Sequence, residues 1–246
     1  MTDHRIKTLD SAVLILDSLA EQAPLGVSEI ARQTGLSKTT VFRLLKALEY
    51  HHFVIQLDQE EYALGYGTLK YQPPIIHNRQ LIDLVKPHMR RFTEKTGETI
   101  NLAVHYDQTV YIIHTEIGEQ YLLQFSLTPS AKLYCSSIGK IFLSQMSDNE
   151  LRDYYSQELT ARTHHSITNY EDFQAEKTSI LTTGIAYDRE EYEYGLTCLA
   201  TGLFQNGKVI AAIGCSGPSS RLAFKGFDYL EEQLTETATA INQLLS

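Results

Sequence analysis

The sequence predicts two domains, a small helical domain closed by a β-hairpin and a larger α+β domain with an antiparallel sheet. The chain of 246 residues exceeds one average domain. Apolar residues recur at helical spacing before residue 52, whereas strand-like and helix-like patterns mix from Glu98 onward. Glycines and prolines between residues 65 and 78 interrupt both patterns and therefore indicate a linker.

The N-terminal segment predicts three short helices followed by a hairpin. The expected elements are helices over residues 9–21, 29–33 and 38–51 and strands over residues 53–57 and 62–64. We expect Ser28 and Ser37 to cap the second and third helices, because serine hydroxyls accept hydrogen bonds from first-turn N–H groups. Gly35 lies in the tight turn between them. This order of elements is typical of a winged helix-turn-helix.

The third helix has an apolar face and a polar face. At about 100° per residue, the face expected to pack inward carries Val41, Leu44, Leu45 and Leu48. The opposite face and its flanks carry Lys38, Thr39, Thr40, Phe42, Arg43, Lys46 and Tyr50. The formal net charge is −9 for the chain and −2 over residues 1–72, yet residues 37–52 carry +2. Positive charge is thus concentrated on one helix, where it could meet phosphates.

The second domain predicts alternating groups of strands and helices. The expected strands cover residues 100–106, 109–116, 121–127, 185–187, 197–204 and 209–216. The expected helices cover residues 79–95, 137–145, 148–156, 170–183 and 227–245. Because proline lacks an N–H and clashes with the preceding turn, Pro87 is expected to kink or break the first of these helices.

Composition excludes several classes of protein. The apolar fraction of 43% and the charged fraction of 21% are ordinary for a globular protein. No apolar run approaches the ~20 residues of a membrane span, and the first residues lack the apolar core of a signal peptide. The three cysteines, Cys135, Cys198 and Cys215, show no C-x-x-C spacing, so we expect reduced thiols and no disulfide or zinc site. A cytoplasmic protein without membrane contact is the expectation.

Motifs of catalysis are incomplete. Residues 214–218 begin like a nucleophile elbow but end in proline, and Gly139-Lys140 is followed by isoleucine rather than the hydroxyl residue of a phosphate-binding loop. His164-His165 has no neighbouring carboxylate in sequence. The acidic run over residues 188–193 fits a solvated face as well as a site. We therefore expect no enzyme activity, no metal and no cofactor.

Short blocks along most of the chain resemble the IclR-type transcriptional regulators. In the first domain these are LDSAVLIL (9–16), VSEIA (27–31), LSKTTVFRLL (36–45) and YALG (62–65). In the second they are KP (86–87), TGET (96–99), CSSIGK (135–140), EEYEYGLTC (190–198) and SGPSSRL (216–222). The blocks occur in the family's order. The resemblance implies a GAF-like second domain that binds a small effector.

The resemblance also implies which residues contact double-stranded DNA. The expected set is Ser37, Lys38, Thr39, Thr40, Phe42, Arg43 and Lys46. The hydroxyls of Ser37 and Thr40 suit phosphates, whereas Thr39 and Arg43 suit base edges. Phe42 stands at a position that is often polar in the family, so it touches a thymine methyl or packs locally. The turn of the hairpin, residues 58–61, carries three acids and no base, which disfavours contact with phosphates.

For the effector, the resemblance points to a second set of residues. They are Ser136, Ser137, Ile138, Gly139, Asp188, Leu196, Cys198, Cys215 and Ser216. A helix that begins near Ser137 would direct free N–H groups at an anion, and the Ser136 hydroxyl could add a hydrogen bond. An ionised Asp188 would repel a carboxylate, so we expect it to accept from a ligand hydroxyl or amine. These features favour a small hydroxylated or keto acid, or a sugar-derived acid.

The sequence therefore predicts a ligand-responsive bacterial transcription factor that binds a pseudo-palindromic operator as a homodimer or a dimer of dimers. We expect DNA binding in residues 1–65, a linker and connecting helix in 66–95, and effector binding and oligomerisation in 96–246. The alternative is a metabolite-sensing adaptor whose helical domain binds protein instead of DNA.

Overall fold

A computed structural model describes residues 6–71, 76–118 and 130–246. The chain divides into two compact units, Met1–Pro74 and Ile75–Ser246. The first unit contains helices α1 (Lys7–Glu21), α2 (Val27–Thr34) and α3 (Lys38–Tyr50) and strands β1 (Leu25–Gly26), β2 (Val54–Gln56) and β3 (Glu61–Leu64). Short 3-10 turns cover Asp58–Glu60 and Tyr66–Tyr71. The predicted helix-turn-helix and hairpin are confirmed.

The first unit closes around one small core. Its antiparallel sheet has the strand order β1-β3-β2, so the two residues of β1 add a strand that the sequence pattern does not predict. The buried side chains come from all three helices and all three strands and are Ile15, Leu19, Leu25, Ile30, Val41, Leu45, Val54 and Tyr62. Leu44 and Leu48 pack against this core from the same side of α3. The expected inward face of α3 is therefore correct.

The two predicted caps have different outcomes. Ser37 caps α3, and its hydroxyl oxygen accepts a hydrogen bond from the Thr40 N–H at 3.1 Å. The Ser28 cap is wrong, because α2 begins at Val27 with Gly26 as its N-cap and no side-chain cap. Gly26 is still paired with β3, so the chain passes directly from the sheet into the helix.

The second unit contains more elements, with one gap in the described chain. Its helices are α4 (Ile76–Thr96), α5 (Ser137–Ser144), α6 (Asp148–Tyr155), α7 (Tyr170–Thr183), α8 (Ser219–Lys225) and α9 (Phe227–Leu245). Its strands are β4 (Thr99–Tyr106), β5 (Thr109–Glu116), β6 (Ser130–Lys132), β7 (Ile185–Arg189), β8 (Leu196–Gln205) and β9 (Lys208–Pro218). The strand predicted over residues 121–127 lies outside the described residues.

These strands form one sheet with a helical layer on each face. The order is β6-β5-β4-β9-β8-β7, and every neighbouring pair is antiparallel. Helices α4 and α9 pack on one face through a core that includes Met89, Phe92 and Leu234. Helices α5, α6 and α7 cover the other face through a second core that includes Ile141 and Phe173. This is the expected α+β, GAF-like architecture.

Helix α4 differs from its prediction at both ends and at its centre. It begins at Ile76, inside the predicted linker, and it continues through Pro87 without a break. Val85 and Met89, on either side of the proline, are fully buried against the α9 layer. Burial of apolar residues in both halves offsets the hydrogen bond that the proline removes.

Candidate functional site

The predicted DNA-contacting side chains of α3 are all exposed. At its N-terminus, the Ser37 and Thr40 hydroxyls hydrogen-bond to each other at 2.8 Å, in addition to the capping bond. The two hydroxyls expected to contact phosphate therefore form a preorganised pair. Lys38 and Arg43 make no ion pair with any residue in the described part of the chain, and their heads are open to solvent.

Lys46 is held differently from Arg43. Its Nζ donates to Glu49 Oε2 at 2.8 Å and to Gln56 Oε1 on β2 at 2.9 Å. The hydrogen bond to Glu49 raises the pKa of Lys46. Its Nζ also lies 5.8 Å from the centre of the Phe42 ring. Phe42 is half-exposed, and Lys46 packs against its ring by a cation–π contact. Lys46 therefore connects α3 to the hairpin, and its charge is balanced within the unit.

The second unit contains a cavity where the N-terminus of α5 meets the ends of β8 and β9. Bounded by the described residues, it has a volume of about 70 Å³. The lining residues are Asn101, Val110, Ile112, Ala131, Ser136, Ser137, Ile138, Asp188, Tyr192, Glu193, Leu196, Cys198 and Ser216. Among the described residues, the lining contains no lysine, arginine or histidine. The cavity is thus a small and mainly apolar space with a few polar groups.

The first turn of α5 supplies polar groups to the cavity. Ser136 is its N-cap, accepting from the Gly139 N–H at 3.1 Å and donating to the Lys132 carbonyl at 2.8 Å. The Ser136 hydroxyl is therefore committed to the cap. Ser137 and Ile138 line the cavity, and their N–H groups precede the first intrahelical hydrogen bond of α5.

Gly139 has a packing role rather than a lining one. A side chain there would place its Cβ 2.3 Å from the Leu133 carbonyl oxygen. Glycine at this position allows α5 to lie directly against the preceding backbone. The close approach fixes the position of the first turn of the helix.

A chain of hydrogen bonds crosses three strands and ends in the cavity. The Thr115 hydroxyl donates to Asn101 Oδ1 at 2.8 Å, which leaves Asn101 Nδ2 facing Ser216 Oγ at 3.5 Å. Because Ser216 Oγ accepts from Asn101, its own proton can be donated, either to the sulfur of Cys198, with which it interacts, or to a molecule in the cavity. Asn101 and Ser216 therefore present donors.

Asp188 lies in the sheet wall of the cavity, in register with Cys198 on β8 and, beyond it, Ser216 on β9, and 1% of its surface is exposed. Its Oδ1 accepts from the N–H groups of Glu191 at 2.7 Å and Tyr192 at 3.2 Å, which orders the loop between β7 and β8. Burial, followed by the negative charge of Glu191, raises the pKa of Asp188 to about 7. This acid consequently titrates near neutral pH.

A buried ion pair connects this loop to α5. Lys140, which is fully buried, places its Nζ 2.6 Å from Glu191 Oε1 and 3.2 Å from Glu176 Oε2 on α7. Glu191 Oε2 is buried and has no hydrogen-bond partner in the described part of the chain. The residues of the acidic run therefore have different roles. Asp188 and Glu193 line the cavity, whereas Glu191 is an internal partner of Lys140.

The structure brings together most, but not all, of the residues predicted for the effector. Those that line the cavity are Ser136, Ser137, Ile138, Asp188, Leu196, Cys198 and Ser216. Gly139 is absent from the cavity lining and packs instead against the backbone of Leu133. Cys215 belongs to the core under α4 and α9, because successive side chains of a strand point to opposite faces and Ser216 takes the cavity side.

Six lining residues were missed by the sequence analysis. They are Asn101, Val110, Ile112, Ala131, Tyr192 and Glu193. Strand alternation gives a signal only once the order of the strands is known. Asn101 is a polar residue between Ile100 and Leu102 in the buried part of β4, and this is a local sign of its role.

Comparison with known proteins agrees with both units. The family model described as IclR helix-turn-helix domain matches residues 8–58, and the model described as bacterial transcriptional regulator IclR C-terminal matches residues 74–243. The HTH-type transcriptional repressor AllR of Escherichia coli is 30% identical over 244 residues, which cover 97% of this chain and 90% of the repressor.

Solved structures give the same result for the fold. The IclR of Thermotoga maritima aligns with a TM-score of 0.68 and 27% identity over 98% of this chain and 99% of that chain. An IclR homologue of Microbacterium hydrocarbonoxydans, complexed with 4-hydroxybenzoate, aligns with a TM-score of 0.71 and 19% identity over 97% and 98% of the two chains.

Two further observations bear on the class of protein. Within residues 6–71, 76–118 and 130–246, no helix combines the length and the apolar character that a membrane span needs. The family matches do not favour an adaptor that binds only protein, and they place the chain among regulators rather than enzymes. With both of its units matched in order, the chain belongs to the IclR family of bacterial transcriptional regulators.

Proposed function

We propose that the protein binds a small organic acid in the cavity of the second unit and thereby changes its binding to operator DNA. The observation that carries this proposal is that Ser137 and Ile138, the first two residues of α5, line one apolar cavity together with the hydrogen-bonded pair Asn101 and Ser216. A helix N-terminus with free N–H groups favours an anion. The relative from Microbacterium hydrocarbonoxydans was crystallised with an aromatic acid, which agrees with this class.

Cavity size narrows the choice of acid. A volume of about 70 Å³ is far below the roughly 300–1,000 Å³ of sites for drug-sized ligands. A hydroxy or keto acid of two to four carbons is therefore favoured over a larger sugar acid. The apolar side chains of Val110, Ile112 and Leu196 would contact its carbon atoms.

In the first unit, we infer that α3 reads the operator. The guanidinium of Arg43 is exposed and can make a bidentate pair with guanine, and Thr39 is exposed on the same helix. The Ser37–Thr40 hydroxyl pair suits a phosphate. One α3 reads too few bases for specificity, so a homodimer, or a dimer of dimers, would bind a pseudo-palindromic site.

A thermal-shift screen tests the effector class. Glycolate, lactate and larger acids would each be compared with the matched primary amide at the same concentration. A ligand at a hundredfold excess over its Kd stabilises the folded state by about 2.7 kcal/mol. We expect at least one short acid, and not its amide, to raise the melting temperature.

The same acid should change the affinity for an operator selected from random duplex DNA. The proposal would be contradicted if none of the acids raised the melting temperature and neutral ligands did. A stabilising acid that leaves operator affinity unchanged would separate binding from regulation and would contradict the regulatory half.

A further inference from the structure

Asp188 faces the cavity without a cation to balance it. It is 1% exposed, and the described lining offers neither an ammonium, a guanidinium nor an imidazole. The other lining carboxylate, Glu193, is exposed at the rim. A second negative charge brought into this space by an organic acid would therefore meet Asp188 at close range.

The buried charges around Asp188 do not balance. Lys140 is the buried cation of this region, and its Nζ is held by Glu191 at 2.6 Å and Glu176 at 3.2 Å. Lys140 acts on Asp188 only as a charge at longer range, so two buried carboxylates, Asp188 and Glu191, and the partly exposed Glu176 surround one ammonium group. A buried carboxylate without a counterion takes up a proton rather than remain charged, because desolvation of the ion costs more than protonation.

The other titratable groups facing Asp188 do not supply the missing charge. On β8, the thiol of Cys198 stands opposite Asp188 in register, and burial raises its pKa well above the ordinary value. Before α5, burial raises the pKa of the Cys135 thiol to about 12. Both thiols are neutral at physiological pH. The N–H groups of Glu191 and Tyr192 favour the ionised form of Asp188, but burial and the Glu191 charge outweigh them.

We propose that Asp188 binds the effector as a neutral carboxyl group, donating its proton to an oxygen of the effector carboxylate, so that acid and proton bind together. This inference rests on the proposed function of the cavity. It reverses the expected role of Asp188, from acceptor of a ligand hydroxyl to donor toward a carboxylate. When Asp188 is ionised in the empty cavity, the proton comes from solvent. Its backbone hydrogen bonds through Oδ1 remain in place.

Isothermal titration calorimetry at pH 6, 7, 8 and 9 tests this coupling, with glycolate and lactate as probes and their amides as neutral controls. Both acids are ionised throughout this range, so their own charge is constant. We expect the affinity for the acid to be nearly constant below pH 7 and to fall about tenfold per pH unit above it. At pH 8, titrations in phosphate and in Tris should show the uptake of nearly one proton per acid. Binding of the amides, where detectable, should not vary with pH.

Two variants locate the proton. Asp188→Asn keeps the side-chain oxygen that accepts from Glu191 and Tyr192 and adds a permanent donor, so its affinity should be independent of pH and proton uptake should vanish. Asp153→Asn, the same change at an exposed aspartate of α6 outside the cavity lining, should keep the wild-type pH dependence. Acid binding by the wild type without proton uptake at pH 8 would overturn this inference alone. A wild-type slope retained in Asp188→Asn would do the same, whereas failure of every acid to bind at any pH would overturn the proposed function as well.

Discussion

Helices α3 and α5 begin with the same kind of N-cap, but α3 is exposed and α5 is buried, so they are suited to different ligands. In each, a serine N-cap accepts from the N–H three residues later at 3.1 Å, Ser37 in α3 and Ser136 in α5. The polar residues of α3 remain in solvent, whereas all eight residues of α5 are buried. A capped first turn is therefore only a set of aligned donors, and the layers around it decide whether DNA or a small molecule can reach them.

The position of charge follows the same division. Arg43 on α3 is exposed and has no ion-pair partner among the described residues, so its charge is available to DNA. Lys140 on α5 lies in the interior, where it forms ion pairs with Glu191 and Glu176. Removing each cation should consequently affect a different property, folding for α5 and recognition for α3.

The largest effect is expected from Lys140→Met. It leaves Glu191 and Glu176 without their cation, and breaking a buried pair from one side costs about 3–5 kcal/mol of unfolding free energy. Urea unfolding followed by circular dichroism measures the loss, and hydrogen exchange in α5 assigns it to the second unit. The double variant Lys140→Met/Glu191→Met should recover most of the stability. A single variant within about 1 kcal/mol of wild type would show that the pair is not structural.

The next effect concerns DNA and compares two cations of one helix. Arg43→Ala should weaken binding to a selected operator by about 1–3 kcal/mol per half-site, the cost of one bidentate base contact. Lys46→Ala should change the affinity by less than about threefold, because its charge is held by Glu49 and Gln56. Gel shifts measure both variants, and circular dichroism should show wild-type folding for each. Equal losses would mean that Lys46 leaves its partners and contacts DNA.

The smallest effect separates the two caps. Loss of an N-cap hydroxyl costs about 0.5–2 kcal/mol. Ser136→Ala should lie near the upper end, because Ser136 is half-buried and its hydroxyl makes two hydrogen bonds to the backbone. Ser37→Ala should lie near the lower end, since water can replace its bonds at the surface. Thermal unfolding of both variants tests the order, and a more costly Ser37→Ala would contradict it.

Much of this comparison was accessible from the sequence, and the missing part is tertiary. The Ser37 cap, the inward face of α3 and the bounds of α7 depend on residues close in the chain, and the pattern predicts them correctly. The pairing of Lys140 with Glu191 spans 51 residues and depends on α5 lying across β7 and β8. Short elements such as β1 and α8 lack a repeat long enough to detect. Cys215 lies in the core and not in the cavity lining, and strand alternation indicates this from the sequence, since adjacent residues of a strand point to opposite faces.

Cys198 stands in the cavity wall beside the place proposed for the acid, and its protonated thiol has a consequence for reversibility. A thiolate adds readily to the carbonyl carbon of a keto acid or aldehyde acid, whereas a neutral thiol is a poor nucleophile. Burial raises the pKa of Cys198 well above its usual value. A keto acid or aldehyde acid would therefore bind in this cavity without forming a covalent adduct with Cys198. Occupancy of the cavity would then depend only on the current concentration of the metabolite.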